Sequence, residues 1–529
     1  MNPTAPADRP AVNPWIIALT VTLATFMEVL DTSIANVALP HIAGNLSVSV
    51  HESTWVLTSY LVANAVILPL SGWLSSMLGR KRFYMTCVVL FTTSSALCGM
   101  ATSIEQLVLF RVLQGLAGGG LQPSEQAILM DTFPPARRGA AMAVYTVAIL
   151  VAPVLGPTLG GYITENASWR WIFYINLPVG VISIVLSSLL LEDPPYLKAL
   201  RAAREGQPIR VDFLGLSLLS IGLAALELML DKGQEHDWFD SPFIVRLAVV
   251  AAASLVAVIF WELRHPAPII NLRLFRDRNF AAASVCVFCA FGVLYGSNVL
   301  LPQMLQTLMG YTPLNAGLVL SPAGFVTMLE MPVIGILLSR GFDPRKLIVA
   351  GLLTVTVASM WLAGLNLGVS PGMVISPRNL QTLGAGLMFV PLNIAAYAFI
   401  PKEQTNNASG LFSLVRNEGS SIGVALTNTL LQRRAQFHQF RLAEHLDPFN
   451  PLASRFLVGV SGAFQARGGD PALAHRQGLR MIYQVVQQQA MAMSYLDMFW
   501  LFSMLALVVI PLVFLMKRPT STGGSLAAH

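Results

Sequence analysis

The stretch WIIALTVTLATFMEVLDTSIANVAL (residues 15–39) carries no charge except two carboxylates, Glu28 and Asp31. A helix rising ~1.5 Å per residue needs about 20 apolar residues to cross ~30 Å of hydrocarbon, so this stretch reads as a membrane span. A carboxylate near a bilayer centre costs about 2.5–3.5 kcal/mol on insertion scales, which marks an acid kept there as a functional candidate. The three-residue spacing puts Glu28 and Asp31 on one helix face, where together they can hold a proton near neutral pH. Two readings stand for each: ion or substrate coupling, and structural pairing with a neighbouring helix.

Composition extends the membrane reading to the whole chain. Of 529 residues, 54% are hydrophobic and 11% charged, with a mean hydropathy of +0.63; soluble domains carry roughly 25% charged residues. The net charge of +6 does not point to nucleic acid, because the basic residues sit in short loops between apolar runs, where they set topology. Cys87, Cys98, Cys286 and Cys289 all fall in apolar segments, so no disulfide framework is expected. The C-x-x-C of Cys286 and Cys289 lacks a second ligand pair and reads as packing ahead of metal or redox chemistry. The first apolar run, with no small-residue cleavage site, reads as a retained helix.

A window of ~19 residues finds fourteen spans, starting near residues 14, 54, 83, 106, 139, 170, 213, 242, 280, 315, 346, 377, 407 and 494. The loops of one face collect twenty Lys and Arg, and the short loops of the other hold three, Arg170, Lys232 and Arg378. That bias places both termini in the cytoplasm. Residues 432–493 carry seven Arg on the opposite side, as long translocated segments can, and form an external extension. Within it Leu479, Ile482, Val486, Ala490 and Met493 recur at helical spacing opposite Gln484, Gln487 and Gln488. This amphipathic helix suits either the membrane surface or a docked periplasmic partner.

Two halves can be traced. Gly72, Gly79, Arg80 and Lys81 end span 2, and a looser echo, Gly335, Arg340, Gly341, Arg345 and Lys346, follows span 10. Parallel six-helix repeats with spans 7 and 8 inserted between them account for both. The expected organisation is a tail at 1–13, a six-helix bundle at 14–191, a linker with two inserted helices at 192–279, a second bundle at 280–515 and a tail at 516–529.

Further charges lie inside spans: Arg111 and Glu125 in span 4, Glu227 in span 7, Glu330 in span 10, and Arg416 and Glu418 in span 13. So many buried charges call for a water-filled cavity or mutual pairing. Arg111, with Gln114 one turn along, can anchor a carboxylate and respond to its protonation, or serve as an interhelical hydrogen-bond donor. Gln114, Glu330, Arg416 and Glu418 are candidates for substrate contact. Gly115, Gly118, Gly119 and Gly120 suit close helix packing; no phosphate-loop pattern G-x-x-x-x-G-K-[ST] occurs, which argues against ATP as the direct energy source. In span 5, Pro153 and Pro157 each remove a backbone donor, while Gly156, Gly160 and Gly161 allow close approach, so a bend is expected there as a gate or a static kink.

Several stretches are similar to one family: LDTSIANVALPHIAGNL (30–46), GWLSSMLGRKR (72–82), RVLQGLAGGG (111–120), APVLGPTLGG (152–161), WRWIFYINLPVG (169–180) and LDPFNP (446–451). The chain resembles, over nearly its whole length, the major facilitator superfamily, in the fourteen-helix drug:proton antiporter branch of EmrB-type exporters. The resemblance implies an all-α major facilitator fold of two six-helix bundles plus two inserted helices, and export of hydrophobic or amphiphilic drugs in exchange for protons. It also implies Asp31 as coupling acid, Arg111 as the motif arginine that tunes exchange, and Gly156 with Pro157 at an interface that changes during alternating access. An EmrA-like periplasmic adaptor, a TolC-like outer-membrane channel, a Gram-negative inner membrane and no cofactor beyond the proton gradient follow in the same way. Where the family's loop motif commonly has an acid followed by Arg, this chain has Ser76 and Met77; Glu330 and Glu418 match no family motif. A dedicated exporter of one metabolite, fatty acid or siderophore is the alternative. An enzyme or sensor is disfavoured, since no nucleophile–base pair, metal-ligand cluster or soluble signalling domain is visible.

Overall fold

The computed structural model describes residues 13–134, 137–194, 197, 212–265, 268–366, 368, 370–446, 450–466 and 470–518. Most of both expected tails, the basic linker residues Lys198, Arg201, Arg204 and Arg210, and residues 447–449 of the LDPFNP stretch lie outside these. The described residues are helical, with no strand. The helices are α1 (Pro14–Leu46), α2 (Trp55–Leu78), α3 (Arg80–Met100), α4 (Ile104–Gly118), α5 (Leu121–Thr132), α6 (Arg138–Asn166), α7 (Asn176–Leu190), α8 (Phe213–Lys232) and α9 (Pro242–Arg264). They continue with α10 (Arg278–Thr307), α11 (Pro313–Leu320), α12 (Pro322–Ser339), α13 (Pro344–Ala363), α14 (Pro371–Tyr397), α15 (Thr405–Ala443), α16 (Pro451–Gln465) and α17 (Pro471–Val513).

Local chemistry sets many of the starts. A side-chain oxygen ahead of the helix accepts an orphan backbone N–H: Asp212 from Gly215 at 2.9 Å, Asp277 from Phe280 at 2.8 Å and Asp343 from Arg345 at 3.0 Å. Proline occupies the first turn of α9, α11, α12, α13 and α14, where its missing N–H costs nothing. Eleven helices among the described residues are long and apolar enough to cross a bilayer, and α6, bent by 44° between Pro153 and Leu155, makes a twelfth. Two more crossings are interrupted or less apolar. The α4–α5 crossing is broken at Gly119 and Gly120, and α15 carries Asn406, Arg416, Asn417 and Glu418 along its apolar run. The arrangement is consistent with fourteen spans. Arg378, read from sequence as a loop residue, instead lies inside α14 and is 3% exposed; a 27-residue helix absorbs it because polar partners wait inside the bundle.

The first bundle packs α1 on α6 and α7, and α4 between α2 and α3; the second packs α10 on α15 and α17, and α13 on α14 and α17. The bundles meet through α2 against α15 and α6 against α12, and these two contacts are built alike. A Cβ at Gly72 would lie 2.6 Å from the Asn406 carbonyl oxygen at the start of α15, and one at Gly335 would lie 2.9 Å from Ala140 Cα at the start of α6. Helix association in lipid rests on such close approach, since the tails are as apolar as the side chains. Each of these helices ends on a glycine-dependent turn, Gly79 with φ 92° and Gly341 with φ 80°. The weak sequence echo therefore marks matching positions in the two bundles.

Of the inserted helices, α8 packs against α9, α2 and α15. Helices α15 and α17 run for 39 and 43 residues, about 58 and 65 Å, far beyond ~30 Å of hydrocarbon. Their surplus ends stand side by side with α16 against α17, forming the extension and enclosing a cavity of about 500 Å³ lined by Ala443, Leu457, Leu479, Ile482 and Val486. The amphipathic stretch is thus continuous with the last span.

Candidate functional site

A cavity of about 240 Å³ lies between the bundles, lined by residues of α1, α2, α5, α6, α8, α10 and α15. It runs from Gln122 and Arg416 to Asp231 and Asn428, reaching the last turn of α8. Its floor ties the bundles together. Arg416 donates to the Tyr145 hydroxyl at 2.6 Å and to Gln122, Gln126 donates to the same hydroxyl at 2.6 Å, and Tyr397 donates to Gln126 at 2.7 Å. Beyond the floor, at the end carrying the basic loops, Arg80 bridges further: it donates to Asn406 at 2.7 and 3.1 Å, to Asp131 at 2.5 Å and to the Ala127 carbonyl at 3.1 Å. Lys81 donates through its backbone to Asp193 at 2.8 Å and through its ammonium to the Ser188 carbonyl at 2.7 Å. The bundles are therefore closed at the basic end; above the floor the cavity separates α1 and α2 from α10 and α15, while α6 stays packed on α11 at Thr158 and Gly317.

Glu28 faces this cavity. Its carboxylate accepts from Tyr60 at 3.0 Å, Asn64 at 3.3 Å and Gln122 at 2.6 Å. Asp31, one turn on, is sealed behind it at 2% exposure. Its oxygens accept from Arg111 at 2.5 Å, Gln114 at 3.1 Å and Asn176 at 2.7 Å. Arg111 is fully buried and also donates to the Val56 carbonyl at 3.0 Å and to Gln114 at 2.8 Å. Its guanidinium lies 4.3 Å from the Tyr60 ring centre. Tyr60 thus touches both acids' surroundings, stacking on the cation that holds Asp31 and donating to Glu28. In a low dielectric such a pair holds only because nearly every lone pair and N–H has a partner. One donor, Arg111 Nη2, has no acceptor among the described residues.

The second bundle repeats the arrangement with one change. Arg378 and Gln381 on α14 match the spacing of Arg111 and Gln114: Arg378 donates to Gln381 at 2.7 Å, and to Asn298 of α10. Asn298 stands where Asp31 stands, so this arginine's hydrogen-bond partners are amides, and its Nε lacks an acceptor among the described residues. The titratable version of the motif sits in the first bundle.

The remaining candidates disperse. Gln114 is fully buried behind Asp31, outside the cavity lining. Arg416 lines the cavity, and Glu418 lies beside it on α15 against Glu227. Glu330 is elsewhere, on α12 facing Gly386 of α14, with neither oxygen hydrogen-bonded among the described residues. Glu125 accepts from Thr22 at 2.5 Å, away from the cavity lining. Gly156 lies hard against Ser33 of α1, and Ser33 donates to the Pro153 carbonyl at 3.1 Å, a carbonyl partly freed because Pro157 lacks the N–H that would claim it. Gly160 approaches Ile34, whereas Gly161 has open space beside it. No group of three metal-ligating side chains occurs among the described residues. Sequence reading missed Tyr60, Gln122, Tyr145, Asn176, Asp131, Asn298 and Asn406; only the R-x-L-Q recurrence at 111–114 and 378–381 was there to be seen.

Residues 21–424 match the Major Facilitator Superfamily. The chain belongs to that family. It is 36% identical to the multidrug export protein EmrB of Escherichia coli (strain K12) over 514 residues, 96% of each chain. It is 37% identical to the fatty acid resistance protein FarB of Neisseria gonorrhoeae, covering 98% of this chain and 99% of FarB. The crystal structure of the human organic anion transporter MFSD10 (TETRAN) superposes with a TM-score of 0.59 at 15% identity, covering 96% of this chain and 100% of that one, which speaks for the fold alone. This major facilitator protein is a multi-pass membrane transporter of the EmrB type, and not an enzyme.

Proposed function

We propose that the protein exports hydrophobic or amphiphilic compounds across the bacterial inner membrane in exchange for protons, with Asp31 as the coupling acid. The observation that carries this reading is the sealed Asp31–Arg111 pair one turn behind Glu28, an acid that faces the cavity. A proton entering from the cavity passes Glu28 and neutralises Asp31. Arg111, which cannot give up its charge, then loses its counterion, and the ties from Asp31 on α1 to Arg111 on α4 and Asn176 on α7 change. Proton and substrate act on the same equilibrium in opposite senses, which is what linkage requires of an antiporter. The Lys and Arg bias assigns the basic end to the cytoplasm; the cavity then faces outward, the state in which a proton is taken up.

The extension built from α15, α16 and α17 would stand on the periplasmic side, and its apolar groove suits an adaptor that passes substrate to an outer-membrane channel. Similarity to EmrB favours a broad drug range. Similarity to FarB favours a second reading, export of fatty acids, for which Arg416 on the cavity floor supplies a cation for a carboxylate. A substrate panel in proteoliposomes separates the two. Deleting 436–490 tests the adaptor: retained liposome transport with lost cellular resistance supports docking, and lost liposome transport refutes it.

A further inference from the structure

Two acids where α8 meets α15, one of them in the cavity lining, take no part in the exchange at Asp31. Glu227 projects from α8, the first inserted helix, into the cavity lining, and Glu418 backs it from the turn of α15 that carries Asn417 and Ser421, outside the lining itself. They are 3% and 9% exposed. Glu227 accepts from Ser421 at 3.0 Å and from Asn417 at 3.5 Å. Neither oxygen of Glu418 has a donor among the described residues. A buried carboxylate with no donor, facing a second carboxylate, leaves two acceptors pointed at each other, and one proton between them resolves both the repulsion and the missing hydrogen bond.

Among the described residues no cation is placed to answer the pair. Arg416 is committed to Tyr145 and Gln122, and Lys232 donates to Thr54 at 2.6 Å and Glu235 at 3.0 Å. The other titratable groups of the lining are Glu28 on α1, Tyr60 on α2, Asp231 on α8 and Tyr295 on α10. Arg416 repels a cation from the floor, the acids of α8 attract one, and the Tyr60 and Tyr295 rings offer faces for its apolar substituents.

We propose that Glu227 and Glu418 share one proton and form a recognition site for the ammonium or phosphonium group of an amphiphilic substrate, releasing that proton into the cavity as the cation arrives. The pair passes from one negative charge to two while the substrate brings one positive charge, so the net charge of the occupied wall is unchanged. The inserted helix α8 thereby acquires a chemical role that a twelve-helix core lacks. The proposal rests on the exporter reading for its substrate class.

The test is calorimetric titration of the full-length protein in detergent with tetraphenylphosphonium, in two buffers of different ionisation enthalpy, which yields affinity and protons released per cation. Glu227→Gln or Glu418→Gln leaves one carboxylate with an amide donor, so the cation binds within about threefold of native while roughly one proton fewer is released. Changing both removes the charge and weakens binding by about tenfold or more. Native helix content and native elution on gel filtration in all three report an intact fold, and Glu227→Asp restores the proton count should the Gln variants fold poorly. A double variant with native affinity and native proton release overturns the proposal. Transport of a drug panel without tetraphenylphosphonium binding overturns this site and leaves the exporter standing; the expected proton pattern in a protein that transports nothing does the reverse.

Discussion

Asn406 accepts two hydrogen bonds from Arg80 across the bundle interface, at 2.7 and 3.1 Å, and Asn406→Ala removes the acceptor alone. Arg80 keeps Asp131 at 2.5 Å and the Ala127 carbonyl at 3.1 Å, so its charge stays paired within its own bundle and the loss falls on closure. A hydrogen bond to a charged group nets about 1.5–3 kcal/mol, and two sharing one acceptor oxygen are worth about 2 kcal/mol together. With the bundles parted at this end, water replaces Asn406 in either protein, so the difference acts on the conformational equilibrium. A shift of that size is about 30-fold and takes a 99:1 preference for the closed basic end to about 3:1. Spin labels at positions 82 and 340 on a cysteine-free background, read by double electron–electron resonance, should show a second, longer distance holding about a quarter of the population. Asn406→Asp supplies a charged acceptor and should sharpen the short distance. Distributions identical to native in the alanine variant, or both variants moving the same way, would refute the reasoning.

Other expectations follow from the same contacts. Gly156→Ala meets Ser33 and should lower thermal stability by about 1–3 kcal/mol through overpacking, whereas Gly161→Ala, beside open space, should match or slightly raise the native melting temperature. Arg111→Ala leaves Asp31 buried without its cation and should cost about 3–5 kcal/mol, much of it recovered by adding Asp31→Asn; a double variant no more stable than the single one would show that the pair is not the cause. Asn298→Asp gives Arg378 a carboxylate in place of an amide and should stabilise the second bundle by about 1–3 kcal/mol, measured as a higher melting temperature, with a lower one counting against the bundle comparison.

The spans were legible because each is an apolar run of roughly bilayer length bounded by caps, as at Asp212, Asp277 and Asp343. The break at Gly119 and Gly120 was not, because small residues that pack helices and small residues that interrupt them look alike in a sequence. Asp31 and Arg111 stand out as intramembrane charges, yet their contact joins residues 80 apart, and no periodicity reports that. Asn406 and Asp131 went unnoticed for a simpler reason: an amide or acid near a span end resembles an ordinary loop residue until a buried arginine is found beside it; Asn298, inside α10, is an uncharged amide and does not stand out as an intramembrane charge does. Glu330 shows the converse, since an acid inside a span does not by that fact face the shared cavity; its placement at the α12–α14 contact depends on how the second bundle is assembled.

Substrate-driven proton movement in proteoliposomes, followed with an entrapped pH dye for the native protein and for Asp31→Asn, bears most directly on the account. The substitution removes the titratable oxygen with almost no change of volume and keeps an acceptor for Arg111. Native protein should move protons only when a transported hydrophobic compound is present, and the variant should bind that compound without moving protons. A variant that exchanges protons as the native protein does would place the coupling at another acid, and a native protein that moves substrate with no proton flux would contradict antiport itself.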